Sequence, residues 1–276
     1  MKAGFYQFNP VFGRKDDNLR KVSKALNDAD VNILVLPEFF ATGYQFIAKE
    51  EVAELSEKIP GGQTSEFLLE LSRQKNCFIA AGLPEEEGGR FFNSAVLTGP
   101  DGSIGSYRKT HLYHEEKLFF EPGDTGFRVW NTSLGRIGMM ICFDWLFPES
   151  MRTLALMGAD VIAHPSNLVL PYCPQAMPIR CLENRVFAIT ANRVGRENRK
   201  EGCSLQFIGQ SRIVSPEGKV LVQATEDEER LLTVDIDPLL ARNKTLNPLN
   251  NIFDDRRPEM YFLNGNPPMP PFRKGG

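Results

Sequence analysis

Short apolar runs alternating with segments of helical period constrain this chain more than any other feature it has. The run VNILVLP has no alternating polar face, so it reads as a strand buried on both sides, and Pro37 must end it. CFIAAGLP, VIAHP and FAITANRV are runs of the same kind, and residues 5–9 and 137–142 add two more strands. Between them, residues 17–29 carry Leu19, Val22, Ala25 and Leu26 at helical spacing. Residues 64–75 do the same with Phe67, Leu68 and Leu71, and residues 148–157 and 175–186 predict two further helices. Buried strands alternating with amphipathic helices are what helices covering sheet faces produce, so the class is α/β.

Two hairpins interrupt the alternation. Arg90–Thr98 and residues 103–109 flank a Gly-Pro-Asp-Gly turn, and residues 211–214 and 219–223 flank Ser-Pro-Glu-Gly. LLTVDID supplies a last strand, after which the chain from Arg242 is polar and broken. We expect one domain over residues 1–250, with internal pseudo-symmetry, and an extension over residues 251–276. NGNPPMPPFRKGG, rich in Pro, is expected to lack regular structure and to lie over a partner subunit.

With 276 residues the chain is long enough to bury roughly three quarters of its unfolded surface without cross-links. Its five cysteines are odd in number and not paired as CxxC, which argues against a disulfide framework or a zinc ribbon and for a reducing cytoplasm. No apolar run approaches the ~18 residues of a membrane span. The amino terminus reads as a strand rather than a targeting segment. The net charge of −3, with Lys and Arg dispersed, leaves no footprint for nucleic acid. A small-molecule partner is expected.

Three residues at strand ends carry chemistry. Cys142 ends the apolar run in GRIGMMICFDWLFPE, where a strand gives way to a helix start; an α/β protein exposes reacting atoms at such a rim. Glu38 stands immediately past VNILVLP, where partial burial raises a carboxyl toward the range in which it accepts a proton from a thiol. Lys109 closes the strand ending SYRK, and an ammonium aimed at the same pocket would neutralise the oxyanion formed when a carbonyl is attacked.

LPEFFATGY, YRKTHL with EKLFFEPGD, and GMMICFDWLFPES with LMGADVIAHPSN resemble the three catalytic motifs of the nitrilase superfamily, the carbon–nitrogen hydrolases. The resemblance runs in order over residues 1–250, including the LENR and SPEG segments, and is greatest to the nitrilase-like and N-carbamoylputrescine-amidase-like branch. It implies a four-layer αββα sandwich that dimerises through its helices, 148–157 and 175–186 being the candidates. It also implies a triad of Glu38, Lys109 and Cys142, working on a linear amide, carbamoyl amine or aliphatic nitrile through a thioester or thioimidate. Glu116 matches the family's second glutamate, with Glu115 and Glu121 as neighbours that could be confused with it. The Phe143 N–H is expected in the oxyanion hole, and Tyr44, Asn167 and Trp145 at the substrate. No metal or organic cofactor is implied. Many nitrilases carry Trp-Glu after the nucleophile; Phe143 and Asp144 here favour an amide, a carbamoyl compound or a small aliphatic nitrile over an arylnitrile.

Other readings attach to the histidines. His111 and His114, with Glu115 and Glu116 alongside, have a spacing compatible with metal ligation, and His111 or His164 could serve as base in a Cys-His hydrolase. A non-catalytic scaffold is a third reading. Glu183, Asn184 and Arg185 read as a structural polar cluster on a helix.

Overall fold

The structure, a computed structural model, describes residues 1–261. Its larger compact unit, Met1–Asn243, is built on two six-stranded sheets. In the first, β1 (Lys2–Gln7), β2 (Ile33–Val35) and β3 (Phe78–Glu87) run parallel, and β4 (Arg90–Thr98) and β5 (Ile104–Arg108) return antiparallel. In the second, β6 (Val129–Thr132) and β7 (Gly135–Met139) form a hairpin, and β7, β8 (Val161–Pro165) and β9 (Phe187–Ala191) are parallel. A charged hairpin of β10 (Arg196–Lys200) and β11 (Cys203–Gln206) follows, then β12 (Arg212–Val214) and β13 (Val220–Gln223), which complete the second sheet. The final strand of this unit, β14 (Arg230–Asp235), returns to pair antiparallel with β1.

Side-chain alternation explains the layering. On the first sheet Tyr6, Leu34, Leu36, Ile79, Ala81 and Leu83 share one face. That face packs on α1 (Lys15–Ala25) and α3 (Gln63–Lys75) through Leu19, Val22, Leu68 and Leu71. Ala3, Phe5, Ile33, Val35 and Ala80 alternate with them and meet the second sheet, whose β8, β9 and β12 lie against β1, β2 and β3. The second sheet's far side carries α5 (Pro148–Leu156) and α6 (Tyr172–Asn184). Helix, sheet, sheet, helix is the expected αββα sandwich.

Several elements depart from expectation. Cys142 does not end a strand: β7 stops at Met139, and Cys142–Leu146 is a 3-10 turn. The segment ANRV leaves its sheet after Ala191. Helix α2 (Lys49–Leu55) and the β10–β11 hairpin carry many charges, so they lack the apolar periodicity that marks the rest. The polar cluster closes α6: Arg180 bonds Glu183 at 3.1 Å, and Arg185 takes a left-handed conformation as the helix cap. Residues from Lys244 form a second unit, with a short hairpin Thr245–Asn247 and Asn250–Asn251. The tail NGNPPMPPFRKGG lies outside the described residues.

One glycine governs the approach to the end of β2. A Cβ on Gly82 would stand 2.6 Å from the Glu38 Cα and 3.0 Å from the Phe39 nitrogen. Backbone there has no room to yield, because Gly82 also exchanges hydrogen bonds with Pro37 and Phe40. Gly82→Ala is therefore expected to cost about 1–3 kcal/mol of stability by overpacking. Urea unfolding measures it, and an unchanged midpoint would contradict the crowding described.

Candidate active site

The parallel strands of both sheets end at one rim. Glu38 follows β2, Lys109 follows β5, Glu116 opens the short helix α4 (Glu116–Phe119), Cys142 follows β7 and Asn167 follows β8. Local chemistry fixes each. Pro37 stops β2, and Phe39 turns the chain away in the left-handed region at φ 50°. The Lys109 N–H donates to Asn93 O at 2.8 Å, and its carbonyl accepts from Gly123 at 2.9 Å. A Cβ on Gly123 would meet Arg108 O at 2.2 Å, which accounts for the glycine of EPGD. Arg108, pointing the other way, is clamped by Glu85 at 2.6 Å and Asp124 at 2.8 Å and lies over the Phe92 ring.

Lys109 is fully buried between two carboxylates. Its Nζ donates to Glu38 Oε1 at 2.7 Å and to Glu116 Oε1 and Oε2 at 2.8 and 2.9 Å. Asn93 donates to Glu38 Oε1 at 2.6 Å, and Tyr44 Oη and the Tyr113 N–H donate to Glu116 at 2.7 and 3.1 Å. Asn167 Nδ2 donates to the Glu38 carbonyl at 2.8 Å, tying the second sheet to the first. Cys142 is 6 % exposed and adopts a left-handed φ of 40°, a strained conformation of the kind that collects at functional sites. Among the described residues the Phe143 N–H has no hydrogen-bond acceptor.

Asp144 holds the Cys142-bearing turn in place. Its Oδ2 accepts from the Ile141 N–H at 2.9 Å and Tyr107 Oη at 2.8 Å, and its Oδ1 accepts from the His111 N–H at 3.1 Å and His111 Nδ1 at 2.8 Å. The His111 ring stacks on Phe147 at 3.6 Å. His164 Nε2 donates to the Cys142 carbonyl at 3.0 Å, which leaves Nδ1 to accept from Thr190 Oγ1 at 3.0 Å.

The carbon-nitrogen hydrolase family model matches residues 2–244. The chain belongs to the carbon–nitrogen hydrolase family. It is 52 % identical to a nitrilase of Pyrococcus abyssi, over 95 % of this chain and 99 % of that one. It is 36 % identical to an (R)-stereoselective amidase of a Pseudomonas species, over 84 % and 85 %. A crystal structure of a carbon-nitrogen hydrolase from Helicobacter pylori G27 superposes with a TM-score of 0.86 at 27 % identity, covering 95 % of this chain and 97 % of that one. The protein is an enzyme of the nitrilase and amidase type.

Electrostatics of the hydrolase site follow from burial and charge count. Burial raises the Glu38 carboxyl above its usual range; Lys109 opposes this and Glu116 adds to it. Burial works against the Lys109 charge, but Glu116 and Glu38 outweigh it and hold the ammonium above its ordinary value. Burial, with Glu38, pushes the Cys142 thiol well up, so sulfur rests protonated. Burial drives His164 down to about 4, leaving its ring neutral.

Of the residues singled out in the sequence, Glu38, Lys109, Glu116, Tyr44 and Asn167 lie in one network, with Cys142 beside it. Trp145 and Phe143 instead wall an apolar cavity of about 320 Å³ that Cys142 and Asn167 also line. Glu115 pairs with Lys200, and Glu121 is exposed. His111 is engaged by Asp144 and His164 by the Cys142 carbonyl, while His114 lines a smaller cavity; among the described residues no group of three His, Cys, Asp or Glu is arranged to hold a metal. Asn93, Tyr107 and Tyr113 were not anticipated. Asn93 had a signal, a polar side chain inside the apolar run FFNSAVL; the tyrosines had none.

Asp144→Ala strips four hydrogen bonds from buried or half-buried donors. A loss of about 2–4 kcal/mol is expected in denaturant unfolding, larger than for Asp144→Asn, which retains part of the acceptor set. Equal, near-zero losses would show that the turn is held by packing alone.

Proposed function

We propose that the hydrolase cleaves the non-peptide C–N bond of a small linear amide, carbamoyl amine or aliphatic nitrile by covalent catalysis at Cys142. The observation that carries this reading is the buried Lys109 shared by Glu38 and Glu116 beside a strained, nearly buried thiol. Glu38 accepts the thiol proton as sulfur bonds to the carbonyl carbon. Lys109 Nζ and the Phe143 N–H stabilise the oxygen that gains charge. The C–N bond breaks as Glu38 returns the proton to nitrogen, leaving a thioester and ammonia or an amine. Glu38 then takes a proton from water, hydroxide adds to the thioester carbon, and sulfur leaves with the proton from Glu38. A nitrile gives a thioimidate, which adds water before ammonia departs. Glu116 acts as a positioning residue through Lys109, itself oriented by Tyr44 and the Tyr113 N–H. None of these steps calls on a metal or organic cofactor.

A homodimer through α5 and α6 is the assembly we propose. Leu146, Leu156, Met157, Tyr172, Ile179 and Leu182 on or beside these helices are all more than 40 % exposed, an apolar face of the kind that marks association. Ile179→Asp is expected to halve the mass seen by analytical ultracentrifugation; an unaltered mass would rule this face out. The five cysteines are all free, four of them buried, which supports a reducing compartment such as the cytoplasm.

The mechanism is tested at its nucleophile and its base. Cys142→Ala is expected to abolish turnover, and near-wild-type activity would refute the assignment. Glu38→Gln should leave a folded protein that no longer forms an adduct on Cys142, read by intact mass.

The pH profile tests the charge count. Glu38 must be ionised to accept a proton, so kcat/KM should rise with pH through an acid limb lying above the ordinary carboxyl value of 4.5. Glu116 helps to raise Glu38, so Glu116→Gln should move that limb to lower pH while reducing kcat. A limb that stays in place would mean that Glu116 does not act on Glu38 through charge.

A further inference from the structure

The cavity beside Cys142 brings no charge of its own to a substrate. Phe143, Trp145, Leu146, Leu168, Leu170 and Tyr172 wall it, and Asn167 is its one amide side chain. A second chamber of about 160 Å³ shares Tyr113 and Val169 with it and contains the acids Glu115 and Glu116. Both acids are already paired, Glu116 with Lys109 and Glu115 with Lys200. An ammonium group carried into the aromatic cavity would meet no carboxylate. Aromatic faces attract a cation weakly compared with the cost of stripping its water.

A second observation concerns the reacting end of the substrate. Glu38 Oε2 and Asn167 Oδ1 are buried acceptors with no donor in the described structure. The orientation of the Asn167 amide is fixed, because its Nδ2 donates to the Glu38 carbonyl at 2.8 Å. Oδ1 must therefore be the atom that awaits a partner. A buried acceptor left alone is costly, so the compound that fits best presents N–H groups next to the carbon under attack. A primary amide has two, and a nitrile has none.

We infer that the site takes the primary amide of an uncharged, apolar carboxylic acid in preference to nitriles and to amides or carbamoyl compounds bearing a remote ammonium. This rests on the reading of Cys142 as nucleophile. The acyl chain lies in the aromatic cavity while the amide N–H groups meet Asn167 Oδ1 and Glu38 Oε2. Sulfur then bonds to the carbonyl carbon, the C–N bond breaks, and the thiol proton leaves on ammonia by way of Glu38.

The test compares hexanamide, 6-aminohexanamide and hexanenitrile at one pH, by kcat/KM and by intact mass of the protein during turnover. Hexanamide is expected to exceed each of the others by at least about tenfold, the scale on which pocket contacts discriminate. Val169→Asp sets a carboxylate where the chambers meet and should narrow the gap between the two amides by about tenfold. Equal or faster turnover of 6-aminohexanamide or hexanenitrile by the unaltered enzyme overturns the inference; a Cys142 adduct seen in that same experiment leaves the nucleophile assignment standing. No adduct from any of the three compounds overturns both. If Val169→Asp does not fold, the comparison on the unaltered enzyme decides alone.

Discussion

A single buried ammonium organises this protein's rim. Two carboxylates stand within 2.9 Å of Lys109 Nζ, and all three groups are essentially out of water. Buried charge of this kind persists only where it is paired and hydrogen-bonded, and Asn93, Tyr44 and the Tyr113 N–H supply the remaining bonds. Removing the ammonium would leave two acids facing each other, one of which would take up a proton. Two carboxylates share this one ammonium, and burial first, with Glu116 adding to it against Lys109, makes Glu38 a better proton acceptor than a surface carboxylate.

The thiol arrives from the other sheet, and the sandwich determines how the two halves meet. Asn167 reaches from the end of β8 to the Glu38 carbonyl, and Tyr107 reaches from β5 to Asp144 under the Cys142 turn. Deeper in the interface, Gln7 on β1 accepts from the Ser211 N–H and hydroxyl at 3.0 and 2.8 Å. These bonds cross between sheets whose apolar inner faces are packed together, so sliding one sheet against the other would break polar contacts at both levels. Rigid elements on either side hold Glu38, Lys109 and Cys142 in position better than a loop could.

Legibility in the sequence followed burial. Strands β2, β3, β8 and β9 were readable because cover on both faces demands unbroken apolar runs. Helices α1, α3, α5 and α6 were readable because each buries one stripe. The chemistry-bearing residues stood out as lone polar groups at the ends of such runs: Glu38 after VNILVLP, Cys142 after GMMI. The β10–β11 hairpin and α2 escaped, since half-exposed, charge-rich segments need no period. Asp144 was legible as a residue able to hydrogen-bond a neighbouring loop, but its role as a hub escaped for a different reason. Its partners, Tyr107 and His111, lie 37 and 33 residues away, and only the folded chain brings them to one carboxylate.

The direction of the pKa shifts decides how a carboxylate serves a thiol in the proposed mechanism. Ordinary values of 4.5 for Glu and 9.0 for Cys leave the proton on sulfur, and burial raises both groups, so burial alone does not close the gap. Lys109 lowers both and Glu116 raises both, which again moves the pair together. A free thiolate therefore does not accumulate at rest. What changes the balance is the carbon: once sulfur begins to bond, negative charge passes to the substrate heteroatom, where Lys109 and the Phe143 N–H can meet it, and the thiol proton becomes acidic enough for Glu38. Proton transfer is thus tied to bond formation. A neutral His164 committed to the Cys142 carbonyl fits this scheme, because the base must gain its proton only when the electrophile is present.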